Sequence, residues 1–140
     1  QAPKALRLRA SASWFRSSVE QIDDPDARLD GQPPWQTTLG ADWQGPVPGI
    51  SAGATWTMTP GFRTRQTDTQ QVWRGRSSRL DAHLQWRIDR QRSLRLAVNN
   101  ALAPDSLSSN AITGSDGSGA ASSTRRSSVP QFTASVQWRL

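Results

Sequence analysis

Six stretches of the chain alternate between apolar and polar residues with a period of two, the signature of β-strands with one apolar and one polar face. The first, about 5–18, sets Leu6, Leu8, Ala10, Ala12 and Trp14 against Arg7, Arg9, Ser11 and Ser13. The second, about 36–44, sets Thr37, Leu39, Ala41 and Trp43 against Thr38, Gly40, Asp42 and Gln44. The third, about 49–59, sets Ile50, Ala52, Ala54, Trp56 and Met58 against Ser51, Gly53, Thr55 and Thr57. The fourth and clearest, about 76–89, sets Ser78, Leu80, Ala82, Leu84, Trp86 and Ile88 against Arg79, Asp81, His83, Gln85 and Arg87. The fifth, about 93–101, sets Leu94, Leu96 and Val98 against Arg95, Ala97 and Asn99. The last, 131–140, sets Phe132, Ala134, Val136, Trp138 and Leu140 against Thr133, Ser135, Gln137 and Arg139. Each is roughly nine or more residues long, beyond the usual five or six of soluble strands and close to the 9–11 that cross a bilayer.

The connections between these strands run long, short, long, short, long. Segments 19–35, 60–75 and 102–130 are long and polar, whereas GPVPG and RQR are tight turns. In an antiparallel meander alternate connections share an end, so the long loops gather at one end and the turns at the other. Bacterial outer-membrane barrels have this arrangement, with long loops outside the cell and short turns in the periplasm. The expected fold is therefore all-β: an antiparallel up-and-down meander of about six long strands, part of a transmembrane β-barrel. A soluble β-sandwich is the alternative, with the apolar faces turned into a core and exposed Trp35 and Trp73 stacking on a sugar or peptide.

The tryptophans favour the barrel. Trp43, Trp86 and Trp138 each sit within about three residues of the end of a strand running toward the turn side. Trp14 lies near the opposite end of its strand, and Trp56 approaches that outer level. Aromatic girdles at both interfaces suit indole rings, which are apolar but carry an N–H that needs a partner.

Composition narrows the function. Hydrophobic residues make up 34% of the 140, a thin supply for a soluble core, and seven of them are Trp. The net charge is +6, but the arginines are spread along the strands without a cluster or a nucleic-acid motif, so nucleic acid is not an expected partner. The absence of cysteine excludes disulfides and thiolate metal sites. No apolar run has the length of a membrane helix, so a bilayer would be crossed by strands. The first residues, QAPKALRLRA, lack the apolar core of a signal peptide.

In the barrel reading the polar face lines the lumen with Arg7, Arg9, Asp42, Arg79, Asp81, His83, Arg87, Arg95 and Arg139. Ion pairs between Asp42 or Asp81 and an arginine would hold register at modest energy. His83, the lone histidine, reads as a hydrogen-bonding wall residue rather than a base or metal ligand. Asp23, Asp24, Asp26 and Asp30 lack the spacing of a calcium loop and read as a solvated loop. The Ser- and Gly-rich SNAITGSDGSGAASSTRRSS reads as a mobile surface loop. No catalytic constellation, metal site or cofactor motif is present in the sequence. Candidate ligand contacts in the loops are Arg63, Arg65, Trp73, Arg125 and Arg126.

Some of these stretches resemble a known family. RLDGQPPW and TTLGADW, residues 28–35 and 37–43, resemble the entry into a late barrel strand of TonB-dependent outer-membrane receptors. LRLAVNNALAPD, residues 94–105, resembles the strand before the family's last long extracellular loop, and SRLDAHLQWRIDRQRSLRLAVNN its late hairpin. The resemblance implies a location in the bacterial outer membrane and a barrel of about 22 strands filled by a plug. It also implies uptake of scarce nutrients such as ferric siderophores or cobalamin with energy passed through TonB. The chain would supply the C-terminal wall and three outer loops, with no chemistry of its own. Leu140 departs from the family's usual terminal aromatic. Six strands fall short of the smallest usual barrel of about eight, so the expectation is a segment of a longer receptor. The plug and upstream strands, outer-membrane lipid and TonB acting through the plug would be its partners, with self-association when it stands alone.

Overall fold

A computed structural model describes residues 5–17 and 31–138. Ten strands form two antiparallel sheets, with no helix among the described residues. The six alternating stretches appear as β1 (Ala5–Trp14), β2 (Trp35–Gln44), β3 (Ile50–Thr59), β6 (Ser77–Arg87), β7 (Arg92–Asn99) and β10 (Gln131–Trp138). They pair in the order β1-β2-β3-β6-β7-β10, an open sheet with β1 and β10 at its edges.

Two segments expected to be loops carry four further strands. Residues 60–75 hold β4 (Phe62–Thr67) and β5 (Gln70–Arg74), and residues 102–130 hold β8 (Ser106–Thr113) and β9 (Gly119–Arg126). These pair in the order β4-β5-β8-β9. The order repeats that of β3, β6, β7 and β10, because each short strand continues a long one. Below the break Met58 faces Ser78 and Thr59 faces Ser77; above it Phe62 faces Arg74, the same register resumed. The link between β7 and β8 carries a two-residue excess, taken up between Asn100 and Asp105, where Asn100 and Ala103 adopt positive φ. The break falls on Pro60–Gly61, Gly75–Arg76, Pro104 and Pro130. Proline withholds a ladder N–H and glycine admits a sharp bend, so the hairpins kink there together. The second sheet escapes an alternation search because both its faces are polar. Strand pairing needs backbone partners and pleat-tolerant side chains such as Thr and Val, not an apolar face.

No strand packs face to face on another: every substantial strand contact joins hydrogen-bonded neighbours. Thr64 is the one large fully buried side chain among the described residues. A sandwich would bury Trp43, Trp86 and Trp138 against a second layer. They are instead 41%, 44% and 69% exposed, so the six strands form an arc of wall, not half of a core.

The tight turns are held by particular residues. At the β2–β3 turn Gly45 N–H donates to the Ile50 carbonyl at 2.9 Å, and Arg87 N–H donates to the Gly49 carbonyl at 2.7 Å. Gly49 has φ +87°, a backbone region that L side chains avoid. At the β6–β7 turn Asp89 accepts from the backbone N–H of Gln91 and Arg92 at 2.9 and 2.7 Å and from Arg92 Nε at 2.7 Å. This is an Asx-type turn closed by a guanidinium fork.

Candidate functional site

The strand register sorts the side chains. Directly opposed residues of an antiparallel pair share a face. Leu8, Ala41, Ala54, Ala82, Val98 and Phe132 form one row across all six strands, and Leu6, Trp43, Ala52, Leu84, Leu96 and Ala134 another. The apolar positions of the six stretches thus form one continuous face. The rows also place the indoles. Trp43 lies in the row of Leu84, two positions from Trp86; Trp86 lies in the row of Val136, two positions from Trp138. Each step spans two strands and has the same hand. Trp14 stands opposite Trp35, a pairing that makes Trp35 a second aromatic at that end of the apolar face. The signal was the tryptophan itself at the strand's first position, overlooked because the strand was expected to start at Gln36.

The opposite face collects Arg7, Arg9, Asp42, Arg79, Asp81, His83, Arg87 and Arg95, all eight described members of the predicted set. Arg139 lies outside the described residues, as do Asp23, Asp24, Asp26 and Asp30. Arg9 Nη2 meets Asp42 Oδ2 at 2.7 Å across β1 and β2. Arg79 Nε meets Asp81 Oδ2 at 3.1 Å along one strand. Asp81 also accepts from the Asn100 N–H at 2.8 Å. Asn100 Nδ2 donates to Ser128 Oγ at 3.0 Å, tying the end of β7 to the lead into β10. This latch was missed from sequence; the adjacent Asn pair at the strand end was its trace, since Asn tolerates positive φ. Arg7, Arg87 and Arg95 have no carboxylate partner among the described residues, so the polar face keeps a cationic excess. Gly53 is a buried notch in it. A Cβ there would stand 2.8 Å from Asp42 Oδ1 and 2.6 Å from His83 Cε1, so the glycine makes room for both side chains.

The five loop candidates divide. Arg63, Trp73 and Arg125 share one face of the second sheet with Arg65, two residues from Arg63, while Arg126 lies on the other. Arg125 is paired with Asp105 through both Nε and Nη2, and Arg65 Nη2 donates to the Asp68 carbonyl at 2.9 Å. Trp73 lines a cleft at the break between the sheets, together with Trp56 and Met58. No group of acidic or histidine side chains suited to a metal ion occurs among the described residues.

The model of the TonB dependent receptor-like, beta-barrel family matches residues 3–101. The chain belongs to the TonB-dependent receptor β-barrel family. The match takes in β1 through β7, and β10, beyond it, extends the same sheet by pairing with β7. No curated protein and no solved structure matches the chain. The family is one of receptors and transporters of the bacterial outer membrane, where the barrel works with a plug and with TonB. An open, two-faced sheet with no core is the form that an arc of such a barrel takes.

The turn at Asp89 yields a pH prediction. Its carboxyl is held below the usual carboxylate range, first by the Arg92 side chain and then by the Gln91 N–H. A carboxyl with a lowered folded pKa contributes stability that is present above its ordinary value of about 3.9 and lost as pH falls through the folded one. Asp89→Asn should therefore lower the stability of the refolded receptor at neutral pH. The gap to the parent should close below the ordinary carboxylate range. Urea midpoints from neutral to strongly acidic pH will check this; a gap independent of pH would contradict it.

Proposed function

We propose that the chain forms an arc of the wall of a receptor that imports a scarce, anionic nutrient of the ferric-siderophore kind, and that it takes no part in bond-making chemistry. The observation that carries the reading is the sorting of the six-stranded sheet into a continuous apolar face and a cationic polar one. In this reading the apolar face meets lipid, and Arg7, Arg9, Asp42, Arg79, Asp81, His83, Arg87 and Arg95 line the lumen against the plug. Charges are tolerated in a plugged, hydrated lumen and costly against lipid.

The indoles support a membrane position. A level line through Trp43, Trp86 and Trp138 drops one residue per strand. With about 3.3 Å per residue and about 4.8 Å between strands, that slope corresponds to a tilt of about 35°. Strands of membrane barrels tilt by about 35–45°. Trp35 and Trp43 lie eight residues apart on β2, about 22 Å of depth at that tilt, against an apolar band of about 25 Å. Trp14 and Trp35 then mark the outer interface, the other three the periplasmic one, and the second sheet projects outside the cell.

Of the outer candidates, Arg125 is neutralised by Asp105, Arg65 is held by the Asp68 carbonyl, and Trp73 lines the cleft. Arg63, exposed on the face it shares with Trp73, is the cation best placed for an anionic ligand. In the full receptor, Arg63→Ala should raise the half-saturating concentration for uptake of a ferric siderophore about five- to tenfold, as loss of a charge-assisted hydrogen bond does. Barrel assembly should be unchanged. Radiolabelled iron uptake measures it, and an unaltered concentration dependence would reject this role. Isolated from its barrel neighbours, the arc should self-associate through its open edges and apolar face.

A further inference from the structure

The two tight turns at one end of the long sheet differ in charge. GPVPG, between β2 and β3, carries none, whereas residues 87–92, around the β6–β7 turn, hold three arginines and one aspartate. The turn itself occupies the aspartate. Asp89 Oδ1 accepts from the Gln91 and Arg92 N–H groups, and Oδ2 accepts from the Arg92 side chain. That pair neutralises Arg92 as well. Arg87 and Arg90 are exposed and have no carboxylate partner among the described residues.

These two cations line a cavity of about 390 Å³, within the range of about 300–1,000 Å³ typical of ligand sites. The rest of its wall comes from the polar face. Arg87 stands opposite Ser93, and Ser93 opposite Gln137. Ser93 Oγ donates to Gln137 Oε1 at 3.5 Å, which leaves Gln137 Nε2 free to donate to a ligand. Gln85 lines the cavity too, and opposite it stands Arg95, a third cation without a carboxylate. The frame is fixed. Arg87 N–H donates to the Gly49 carbonyl at 2.7 Å and Ile88 N–H to the Arg92 carbonyl at 3.0 Å. A frame ordered in advance lowers the cost of binding. Guanidinium groups match carboxylate and phosphate oxygens in pairs. The occupant that fits is therefore small and carries more than one oxyanion group.

We propose that this pocket binds a small multiply charged oxyanion at the periplasmic mouth of the lumen, as a subsite that the imported nutrient meets on leaving the barrel. The proposal rests on the reading above of an anionic cargo and of turns on the periplasmic side.

The test uses the full receptor in detergent, its other cysteines replaced by serine, with carbon-13-labelled citrate as the probe and glucose as the neutral control. A nitroxide on Gln91→Cys should broaden the citrate resonances and leave those of glucose sharp. A nitroxide on Ser118→Cys, in the β8–β9 hairpin, should broaden citrate far less. Arg87→Gln combined with Arg90→Gln should weaken the citrate binding read at position 91 about tenfold or more, as loss of charge-assisted contacts does. Arg87→Lys, which keeps the charge, should retain most of it, and Arg76→Gln, at the break between the sheets, should change nothing. Heat-modifiability checks that each variant is folded. Equal broadening of glucose, or full citrate binding in the double variant, overturns the pocket. Displacement of citrate by a tetraglutamate peptide at far lower concentration would assign the site to an acidic protein segment and overturn the small-solute proposal. A maleimide on a polyethylene glycol too large for porins separates the pocket from the reading beneath it. On intact cells it should label Ser118→Cys and not Gln91→Cys. Labelling at 91 refutes the orientation, whereas the expected labelling without citrate broadening at 91 refutes the pocket only.

Discussion

Replacing Leu96 by Arg should destabilise the refolded barrel by about 2–4 kcal/mol, while the same change one residue later, Ala97→Arg, should alter it by no more than about 0.5 kcal/mol. Leu96 stands between Leu84 and Ala134 on the apolar face. By the tilt drawn from the tryptophans it is near mid-depth, where a lipid-facing arginine costs most. Ala97 stands between His83 and Thr133 on the polar face, where a guanidinium joins a wall already rich in them. The contrast follows from the period of two: adjacent residues of one strand lie on opposite faces of the sheet. Urea titration of the full receptor refolding into vesicles measures both. Equal costs at the two positions would mean that the faces are not sorted between lipid and lumen.

Gly49→Val should be the most damaging change in a turn. The native φ of +87° is a strained region for any L side chain, at a cost of about 1–3 kcal/mol. A Cβ there would also collide with the Arg87 carbonyl oxygen, and backbone cannot swing aside as a side chain can. The collision forces apart the Arg87 N–H and Gly49 carbonyl, which join the β2–β3 turn to the end of β6. The expected result is a marked fall in the fraction of receptor that migrates as folded, heat-modifiable barrel. Gly31→Val is the internal control. Its φ is also positive, at +74°, but a Cβ there meets nothing within 4 Å. The control should lose less, and equal losses would show that strain alone, without the collision, governs the effect.

What could be read from the sequence follows a physical boundary. Where one face of a strand meets an apolar medium, the chain has to alternate, so β1, β2, β3, β6, β7 and β10 were visible as Leu, Ala and Trp on every second residue. Above the break both faces are polar, and the pairing of Trp73 with Ser109 or Asn110 with Ser122 leaves no such trace. The polar set from Arg7 to Arg95 was legible for the same reason as the apolar one. Its pairing was only half legible: Asp42 meets Arg9 across strands, but Asp81 takes Arg79 from its own strand and the Asn100 N–H from the next. Such choices depend on diagonal register and local twist, which the residue types alone do not encode. The loop candidates fared least evenly. Arg126 lies on the opposite face from the other four, and the charge of Arg125 is spent on Asp105.

The central claim is that one face of this arc meets lipid and the other meets the lumen. Single cysteines at positions 94 to 98 of β7, in a chain with none of its own, can each carry a nitroxide in the full receptor reconstituted in vesicles, once any cysteine elsewhere in the receptor is replaced by serine. Collision with oxygen, which concentrates in lipid, should be strong at 94, 96 and 98. Collision with a water-soluble nickel chelate should be strong at 95 and 97 where the lumen is hydrated, and oxygen access should be low at 95 and 97 throughout. Oxygen access without that two-residue alternation, or with its maxima at 95 and 97, would contradict the account.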